Sequence, residues 1–148
     1  MITIVRTFEW DMGHRVPNHE SICRNPHGHR YVMNVFVTGA LNAVPDDPSQ
    51  GMIVDFGKLK GLINEHVVSR LDHSFMYFKD DSAMAPFAAK HNDFRMNVVP
   101  FIPTAEMIAE HIAEVIIDLF KRETPELSLS AVEVYETPKS KAIWSRDA

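Results

Sequence analysis

The chain has 148 residues, 45% of them hydrophobic, which is enough to bury one hydrophobic core but excludes two full domains, so we expect a single domain over residues 1–148. Its formal net charge of −5, without clustered Lys and Arg, excludes a typical nucleic-acid-binding surface. The N-terminus lacks the pattern of a secretory signal, and no apolar run approaches the roughly 20 residues of a membrane span. A single cysteine fits a reducing compartment. Together these features predict a cytoplasmic protein without a membrane partner.

The first half of the chain predicts two strands and a helix. Hydrophobic residues alternate over Ile2–Trp10, and Val, Phe and Tyr are frequent over Tyr31–Leu41, as is typical of strands. The connection between these strands carries Cys23–His29. After a short predicted strand at 52–54, the segment Asp55–Leu71 has apolar residues at helical spacing and an aspartate at its N-cap position, so it predicts a helix.

The second half predicts one more helix and a final pair of strands. Ser74–Ile102 has weak periodicity and is predicted to be a long functional or mobile loop that contains a short helix near Ala83–Lys90. A helix follows over Thr104–Arg122, with apolar residues at helical spacing and cations at its carboxyl end. Alternation returns over Leu129–Glu136, and Lys141–Arg146 can close a hairpin. The order ββααββ predicts an α+β fold in which two helices cover one face of a four-stranded antiparallel sheet.

The segment His27-Gly28-His29 has the spacing of a metal site. Residues two apart in an extended segment point to the same side, so both imidazoles can reach one ion. An isolated pair of this kind is more often a solvated turn, and a third ligand is needed for a zinc ion that keeps one position for water or substrate. His14, at the end of the first predicted strand, is the best-placed third ligand, although a lone histidine there is more often structural.

Three further positions can supply acid–base or binding chemistry. Cys23 lies four residues before His27, and a thiol near a metal or an imidazolium can act as a base or nucleophile; without such neighbours it is usually an inert buried side chain. Asp72 can orient His73 and stabilise its charged form, although a helix end favours histidine on dipole grounds alone. Glu136 ends a predicted strand, where a carboxylate is usually solvated.

Six segments, in one order over almost the whole chain, resemble the family of 6-pyruvoyl-tetrahydropterin and 6-carboxy-tetrahydropterin synthases: GHRVP, CRNPHGHRY, GMIVDFGKLK, RLDHSF, PTAE and VYET. The resemblance implies the tunnelling fold (T-fold), in which trimers close their sheets into a barrel and two trimers stack as a hexamer. It also implies that the chain is an oligomer whose sites lie between subunits.

The same resemblance implies a role for each motif residue. The implied site comprises three zinc ligands, a proton-abstracting base, an acid–base pair, a carboxylate that grips the pterin ring and two residues that line the pterin pocket: His14, His27 and His29; Cys23; Asp72 and His73; Glu136; Thr104 and Glu106. The cofactor would therefore be Zn²⁺ and the substrate a pterin triphosphate.

The spacing of the motif selects a branch of the family. Three residues separate Cys23 from His27, which resembles the 6-carboxy branch of queuosine precursor synthesis, whereas the pyruvoyl branch commonly has five. The implied activity is that of a lyase that converts 7,8-dihydroneopterin triphosphate to 6-carboxytetrahydropterin with loss of triphosphate and acetaldehyde. The alternatives are a 6-pyruvoyl-tetrahydropterin synthase and a non-catalytic zinc- or pterin-binding module.

The chain departs from the family pattern at two places. The common Phe-x-Ala-Ala-His at the first ligand reads here as Trp10-Asp11-Met12-Gly13-His14, which keeps the imidazole and changes its support. Ser74–Ile102 is longer than in compact members of the family, so the shape of the pocket is expected to differ.

Overall fold

The computed structural model describes residues 2–146, which fold into a six-stranded sheet covered by helices. The strands are β1 (Thr3–His14), β2 (His27–Thr38), β3 (Ser74–Phe78), β4 (Met96–Val99), β5 (Ser128–Thr137) and β6 (Ser140–Ser145). The α-helices are α1 (Phe56–Ile63), α2 (Ser69–Leu71), α3 (Met84–Lys90) and α4 (Ala105–Glu123). A π-helical segment, Asn64–Val68, joins α1 to α2, so the helix predicted over this region is continuous.

The sheet has the strand order β4-β3-β1-β2-β5-β6. The four predicted strands β1, β2, β5 and β6 pair antiparallel, whereas β3 runs parallel to β1 and β4 runs parallel to β3. The prediction of an α+β sheet with helices on one face is confirmed, but the four-stranded, purely antiparallel sheet is wrong. Strands in parallel pairing are often apolar without alternation, and the run SFMYF of β3 has that character, so the period-two signal was absent there.

The stretch 74–102 is ordered structure rather than the predicted long loop. It forms strand β3, helix α3 and strand β4, in which the predicted short helix is confirmed as Met84–Lys90. The predicted short strand at 52–54 is wrong, because these residues form no ladder and lie in the turn before α1. This turn ends at Asp55, whose carboxylate accepts hydrogen bonds from the N–H groups of Gly57 and Lys58 at 2.8 and 3.0 Å and so caps α1 as predicted.

The hydrophobic core lies between the sheet and helices α1 and α4. Its largest fully buried side chains include Trp10, Tyr31, Met33, Ile112 and Ile116. Burying one such side chain stabilises the fold by about 1.5–3 kcal/mol, which fixes the side-chain alternation of β1 and β2 against α4. None of the helices within residues 2–146 is long and apolar enough to cross a bilayer.

Strands β1 and β2 both extend further than predicted, towards the end of the sheet where the histidines lie. β1 continues past Trp10 to His14, and β2 begins at His27 rather than at Tyr31. The His-Gly-His segment is therefore part of the ladder and not of the connection. Strand pairing fixes where a residue lies and which face of the sheet its side chain occupies. The fold therefore holds the side chains of His27 and His29 more firmly than a turn would.

Candidate active site

Three histidines meet at the end of β1 and the start of β2. The register pairs His14 with His27 and Met12 with His29, so the three imidazoles share the helix-covered face of the sheet. One ligand atom from each histidine lies within 4.8 Å of the others. The ring centroids are separated by 4.6 Å for His14 and His27, 5.1 Å for His14 and His29, and 5.0 Å for His27 and His29.

Backbone carbonyls orient two of these rings. The Nδ1 atom of His14 lies 2.7 Å from the carbonyl oxygen of Pro103, and that of His27 lies 2.6 Å from the carbonyl oxygen of Asn25. Each Nδ1–H then donates to its carbonyl and leaves Nε2 as the free lone pair, which is how metal-ligating histidines are commonly fixed. The Nε2 atoms of His14 and His29 are buried and have no hydrogen-bond partner within residues 2–146. An orphaned buried acceptor costs about 1–3 kcal/mol, so this donor set fits a metal ion.

Burial favours the neutral form of His14 and His29. The pKa of His14 is lowered from 6.5 to about 4, mainly by desolvation and to a smaller degree by the charges of His27 and His29, while the hydrogen bond to Pro103 acts in the opposite direction. The pKa of His29 is also lowered, by burial and then by His27. Only a neutral imidazole ligates a metal, so at neutral pH the rings of His14 and His29 are already in the ligating form.

Tyr31 packs against the histidine cluster and stacks on Trp10. The ring of Tyr31 stacks on Trp10 at a centroid distance of 5.4 Å and stands edge-on to His14 and His29 at 6.0 and 5.5 Å. Its hydroxyl is buried without a hydrogen-bond partner within residues 2–146, and burial strongly raises its pKa, so the phenol is neutral. The sequence analysis did not single out Tyr31. Its position two residues after His29 is the signal that could have found it, because residues two apart in a strand share a face.

The predicted pterin-binding residues lie near the same cluster. Glu136, at the end of β5, has its Oε1 atom 3.7 Å from Nε2 of His14. Burial raises the pKa of this carboxyl group, the charge of Glu106 raises it further, and His27 lowers it. Glu106 is exposed in the first turn of α4, and the hydroxyl of Thr104 caps that helix by accepting from the N–H of Met107 at 3.4 Å.

Asp72 and His73 form the predicted pair, next to β1. The Oδ2 atom of Asp72 lies 2.9 Å from Nδ1 of His73, whose side chain is 74% exposed. The backbone of Asp11 holds both residues, because its N–H donates to Oδ1 of Asp72 at 3.0 Å and its carbonyl accepts from the N–H of His73 at 2.8 Å. His73 adopts a left-handed backbone conformation with φ of 56°, which is uncommon for a residue other than glycine. Sequence reasoning missed Asp11, since no local pattern reveals a backbone partner 61 positions away.

Comparison with known proteins identifies the family. The family model described as 6-pyruvoyl tetrahydropterin synthase matches residues 3–147. The chain belongs to this family. It is 32% identical over 139 residues to the 6-carboxy-5,6,7,8-tetrahydropterin synthase of Rickettsia bellii, covering 93% of this chain and 96% of that protein. It is also 32% identical over 143 residues to the enzyme of the same name from Haemophilus influenzae, covering 95% and 96%.

Solved structures agree on the fold. An uncharacterized protein from Wolinella succinogenes superimposes with a TM-score of 0.78 at 24% identity, covering 98% of both chains. The 6-pyruvoyl tetrahydropterin synthase of Caenorhabditis elegans gives a TM-score of 0.67 at 24% identity, covering 97% of this chain and 94% of that one. The prediction of a T-fold enzyme of the tetrahydropterin synthase family is therefore confirmed.

In this synthase-family chain, Cys23 stands apart from the groups just described. It lies in a short 3₁₀ turn, Ile22–Arg24, between β1 and β2, and is partly buried. Its carbonyl accepts from the N–H of Val16 at 2.9 Å, which fixes the turn against the end of β1. Within residues 2–146, no hydrogen bond joins the thiol to His73, and the sulfur is not among the atoms that cluster with the three histidines. One chain thus assembles the histidine cluster and the Asp72–His73 pair but not the complete predicted set.

Proposed function

We propose that the chain is a zinc-dependent 6-carboxy-5,6,7,8-tetrahydropterin synthase that converts 7,8-dihydroneopterin triphosphate and water to 6-carboxytetrahydropterin, acetaldehyde and triphosphate, in the cytoplasm and in queuosine precursor synthesis. The observation that carries this proposal is the cluster of His14, His27 and His29, in which the Nε2 atoms of His14 and His29 are buried without a partner within residues 2–146, beside the carboxylate of Glu136. Curated relatives with about a third of their residues identical bear the name of this enzyme.

The three histidines would hold the zinc ion through Nε2. When bound, zinc would polarise the side-chain hydroxyls of the substrate and make the adjacent C–H groups more acidic. The protein's own contribution is orientation, because the carbonyls of Pro103 and Asn25 fix two of the rings before the ion arrives.

Glu136 would bind the pterin ring through hydrogen bonds. A carboxylate accepts hydrogen bonds from adjacent amino and ring N–H groups, and such charge-assisted bonds are roughly twice as strong as neutral ones. Burial raises the pKa of Glu136 in the free protein, and donors on a bound pterin would favour its ionised form. The ring would then lie beside the histidine cluster, with its N–H edge on this carboxylate and with Thr104 and Glu106 lining the pocket at the start of α4.

Cys23 and His73 would move the protons. The thiolate of Cys23 takes a carbon-bound proton, and His73, oriented by Asp72, supplies or accepts another. The separation of Cys23 from this pair within one chain supports a site that is completed between subunits. The exposure of His73 supports the same arrangement, since 74% of its side chain is available to a neighbouring chain.

The edges of the sheet support a ring-shaped assembly. β3 pairs with β1 only over Met12–His14, so the outer edge of β1 before this point has no partner strand within residues 2–146. β6 is the terminal strand at the other side of the sheet. Unpaired edges invite strand pairing, and joining β6 of one subunit to β1 of the next would close a trimeric barrel, two of which stack as a hexamer. Light scattering should give a trimer or hexamer, and a monodisperse monomer would contradict the shared site.

A second candidate activity is that of a 6-pyruvoyl-tetrahydropterin synthase. The description of the matching family model and the name of the structural neighbour from C. elegans favour it. The spacing between Cys23 and His27 favours the 6-carboxy activity instead. Membership in a family of synthases speaks against the third alternative, a non-catalytic module.

Mass analysis of the products from 7,8-dihydroneopterin triphosphate separates these activities. We expect 6-carboxytetrahydropterin, acetaldehyde and triphosphate in equal amounts from the zinc-loaded protein. A pyruvoyl product that retains all three side-chain carbons would establish the second candidate. Glu136→Gln, which keeps the size of the side chain, should raise KM strongly, whereas the matched change Glu126→Gln on the loop before β5 should not.

A further inference from the structure

A cleft between the helices and the β3–β4 pair takes no part in the proposed chemistry. It measures about 290 Å³ and is bordered by β4, the terminal strand of the sheet. Its lining contains none of the three clustered histidines, and neither Cys23, His73 nor Glu136. Its size lies close to the lower end of the range for pockets that bind small molecules. The cleft is therefore a candidate site for a small ligand other than the proposed substrate.

The wall of the cleft is mainly apolar. Its hydrophobic side chains come from the helical segment before Asp72, from β3 and β4, and from α4, and they include Val67, Leu71, Met76, Val98, Ile112 and Val115. Val98 is 58% exposed, whereas Met76 is only 1% exposed. A cleft that runs from an exposed to a buried hydrophobic side chain can remove the apolar body of a ligand from water.

Arg70 gives the cleft its charge. The polar part of the lining consists of His66, Arg70, Asn97 and His111. Within residues 2–146, the guanidinium of Arg70 takes part in no hydrogen bond or ion pair, and the residue is exposed. Glu65 and Glu114 lie near the two histidines, but both are exposed and neither lines the cleft. The planar fork of a free guanidinium matches the two oxygens of a carboxylate.

His111 adds a hydrogen-bonding group without adding charge. Its ring packs against that of Phe101 at a centroid distance of 5.3 Å. Burial lowers the pKa of His111, while the charge of Glu114 acts in the opposite direction. A neutral imidazole can donate or accept one hydrogen bond. With one permanent cation in its lining, the cleft matches a singly charged anion better than a polyanion.

Side chains from β4 and from the residue before it hold the helix end that carries Arg70. The Nδ2 atom of Asn97 donates to the carbonyl oxygen of Arg70 at 3.0 Å, and Nη2 of Arg95 donates to the carbonyl oxygen of Ser69 at 2.6 Å. These bonds satisfy carbonyls of the last helical turn. The π-helical segment Asn64–Val68 supplies two further lining residues, and such segments are frequent at functional sites. The shape of the cleft is therefore fixed before a ligand arrives.

We propose that this cleft binds a small amphipathic monocarboxylic acid, with its apolar body against Met76 and Val115 and its carboxylate on the guanidinium of Arg70. The site does not depend on the proposed function, because its lining holds none of the residues to which that function assigns a role. Leu71 lines the cleft and directly precedes Asp72 and His73. An occupant would therefore contact the segment that carries the acid–base pair.

NMR titration of zinc-loaded protein with 3-phenylpropionate tests this assignment, with ¹³C in the methionine methyl groups as reporters. The resonance of Met76, assigned with Met76→Leu, should shift with a Kd of about 1 mM, as expected for a ligand of this size. The resonance of Met12, which lies beside the histidine cluster, should not move. The uncharged 3-phenylpropan-1-ol has the same carbon skeleton and should bind about tenfold more weakly, because it lacks the charged partner for Arg70.

Two variants separate the charged from the apolar part of the site. Arg70→Gln should weaken binding of the acid by about tenfold and leave binding of the alcohol unchanged. Val98→Glu adds a carboxylate at an exposed position of the wall, so it should fold normally and weaken binding of the acid more than that of the alcohol. Arg122→Gln, at an exposed arginine near the end of α4, is the matched control and should change neither affinity.

Three results would overturn the proposal. The first is a Met76 resonance that does not move at high millimolar concentrations of the acid. The second is equal affinity for the acid in the parent and in Arg70→Gln. The third is a shift at Met12 that is lost in His29→Ala, which assigns the acid to the metal. Failure of the proposed function would look different, because the absence of a pterin product leaves these titrations unchanged.

Discussion

The histidine cluster and the acid–base groups are built in opposite ways. His14, His27 and His29 lie on paired strands, with the Nδ1 atoms of His14 and His27 fixed by backbone carbonyls and with His14 only 1% exposed. His73 is 74% exposed on a junction between helix and strand, and Cys23 lies on a short turn. The difference teaches that strand pairing within one chain brings the three histidines together, whereas Cys23 stays apart from the histidines within residues 2–146 and, under the proposed function, meets His73 between subunits. Strand pairing within one chain fixes the positions of the three histidine side chains, but an exposed side chain such as that of His73 needs contacts from a second chain to be fixed as firmly.

The largest effect is expected from breaking the histidine cluster. Purified protein should carry about one zinc per chain, and His29→Ala should lose nearly all of it together with turnover, because a site with three protein ligands does not tolerate the loss of one. Metal analysis by mass spectrometry measures this. His91→Ala is the control, since His91 lies outside the cluster, and it should keep its zinc. Full zinc occupancy in His14→Ala would mean that the third ligand lies elsewhere.

Removing the proposed base should abolish chemistry but not metal binding. Cys23→Ala should lower turnover by on the order of 10²-fold or more while zinc content and folding are retained, because the side chain is small and only partly buried. Cys23→Ser should be nearly as poor, since a hydroxyl is a much weaker acid than a thiol. His73→Ala should also lose turnover with zinc retained. Parent-like turnover by Cys23→Ala with zinc in place would contradict the mechanism.

The buried imidazole of His14 should make the metal-free protein sensitive to acid. The unfolded chain protonates this ring below about pH 6.5, but the folded chain does so only below about 4. The unfolded state therefore binds more protons in this interval, and the free energy of unfolding should fall by on the order of 3 kcal/mol as the pH decreases across it. Urea unfolding of chelator-treated protein at several pH values measures this fall. His14→Gln should show a clearly shallower dependence, and identical slopes would assign the acid sensitivity to other groups.

The smallest effect is expected on the free energy of unfolding, from a change at Tyr31, which packs against the histidine cluster. The hydroxyl of Tyr31 is buried and unpaired within residues 2–146, so Tyr31→Phe removes a desolvated polar group and keeps the ring that contacts His14 and His29. The free energy of unfolding should stay equal or rise by up to about 1 kcal/mol, with zinc retained. A fall in the free energy of unfolding by more than about 1 kcal/mol would show that the hydroxyl has a partner in the assembled protein. Denaturant titration of the oligomer measures this change.

Sequence reasoning worked best where a local pattern carried the information. Alternation and helical spacing predicted four of the six strands and the two long helices, and the N-cap Asp55 lies where predicted. The period-two rule also predicted that His27 and His29 share a face. It failed at β3 and β4, whose short strands pair in parallel within a region of weak periodicity. Parallel pairing joins residues that are distant in sequence, and no turn signal marks it.

The sequence by itself determined the family, the antiparallel part of the sheet and the spacing of the three histidines, because these depend on local periodicity and on motifs read in order. Only the tertiary structure decided which nitrogens are free, since the carbonyls of Pro103 and Asn25 that fix the rings are chosen by packing. It likewise decided that Asp11 holds Asp72 and His73, and that Asp81 holds Arg15. Such contacts join residues far apart in the chain, where the free energy of burial and hydrogen bonding, rather than any local preference, selects the partner.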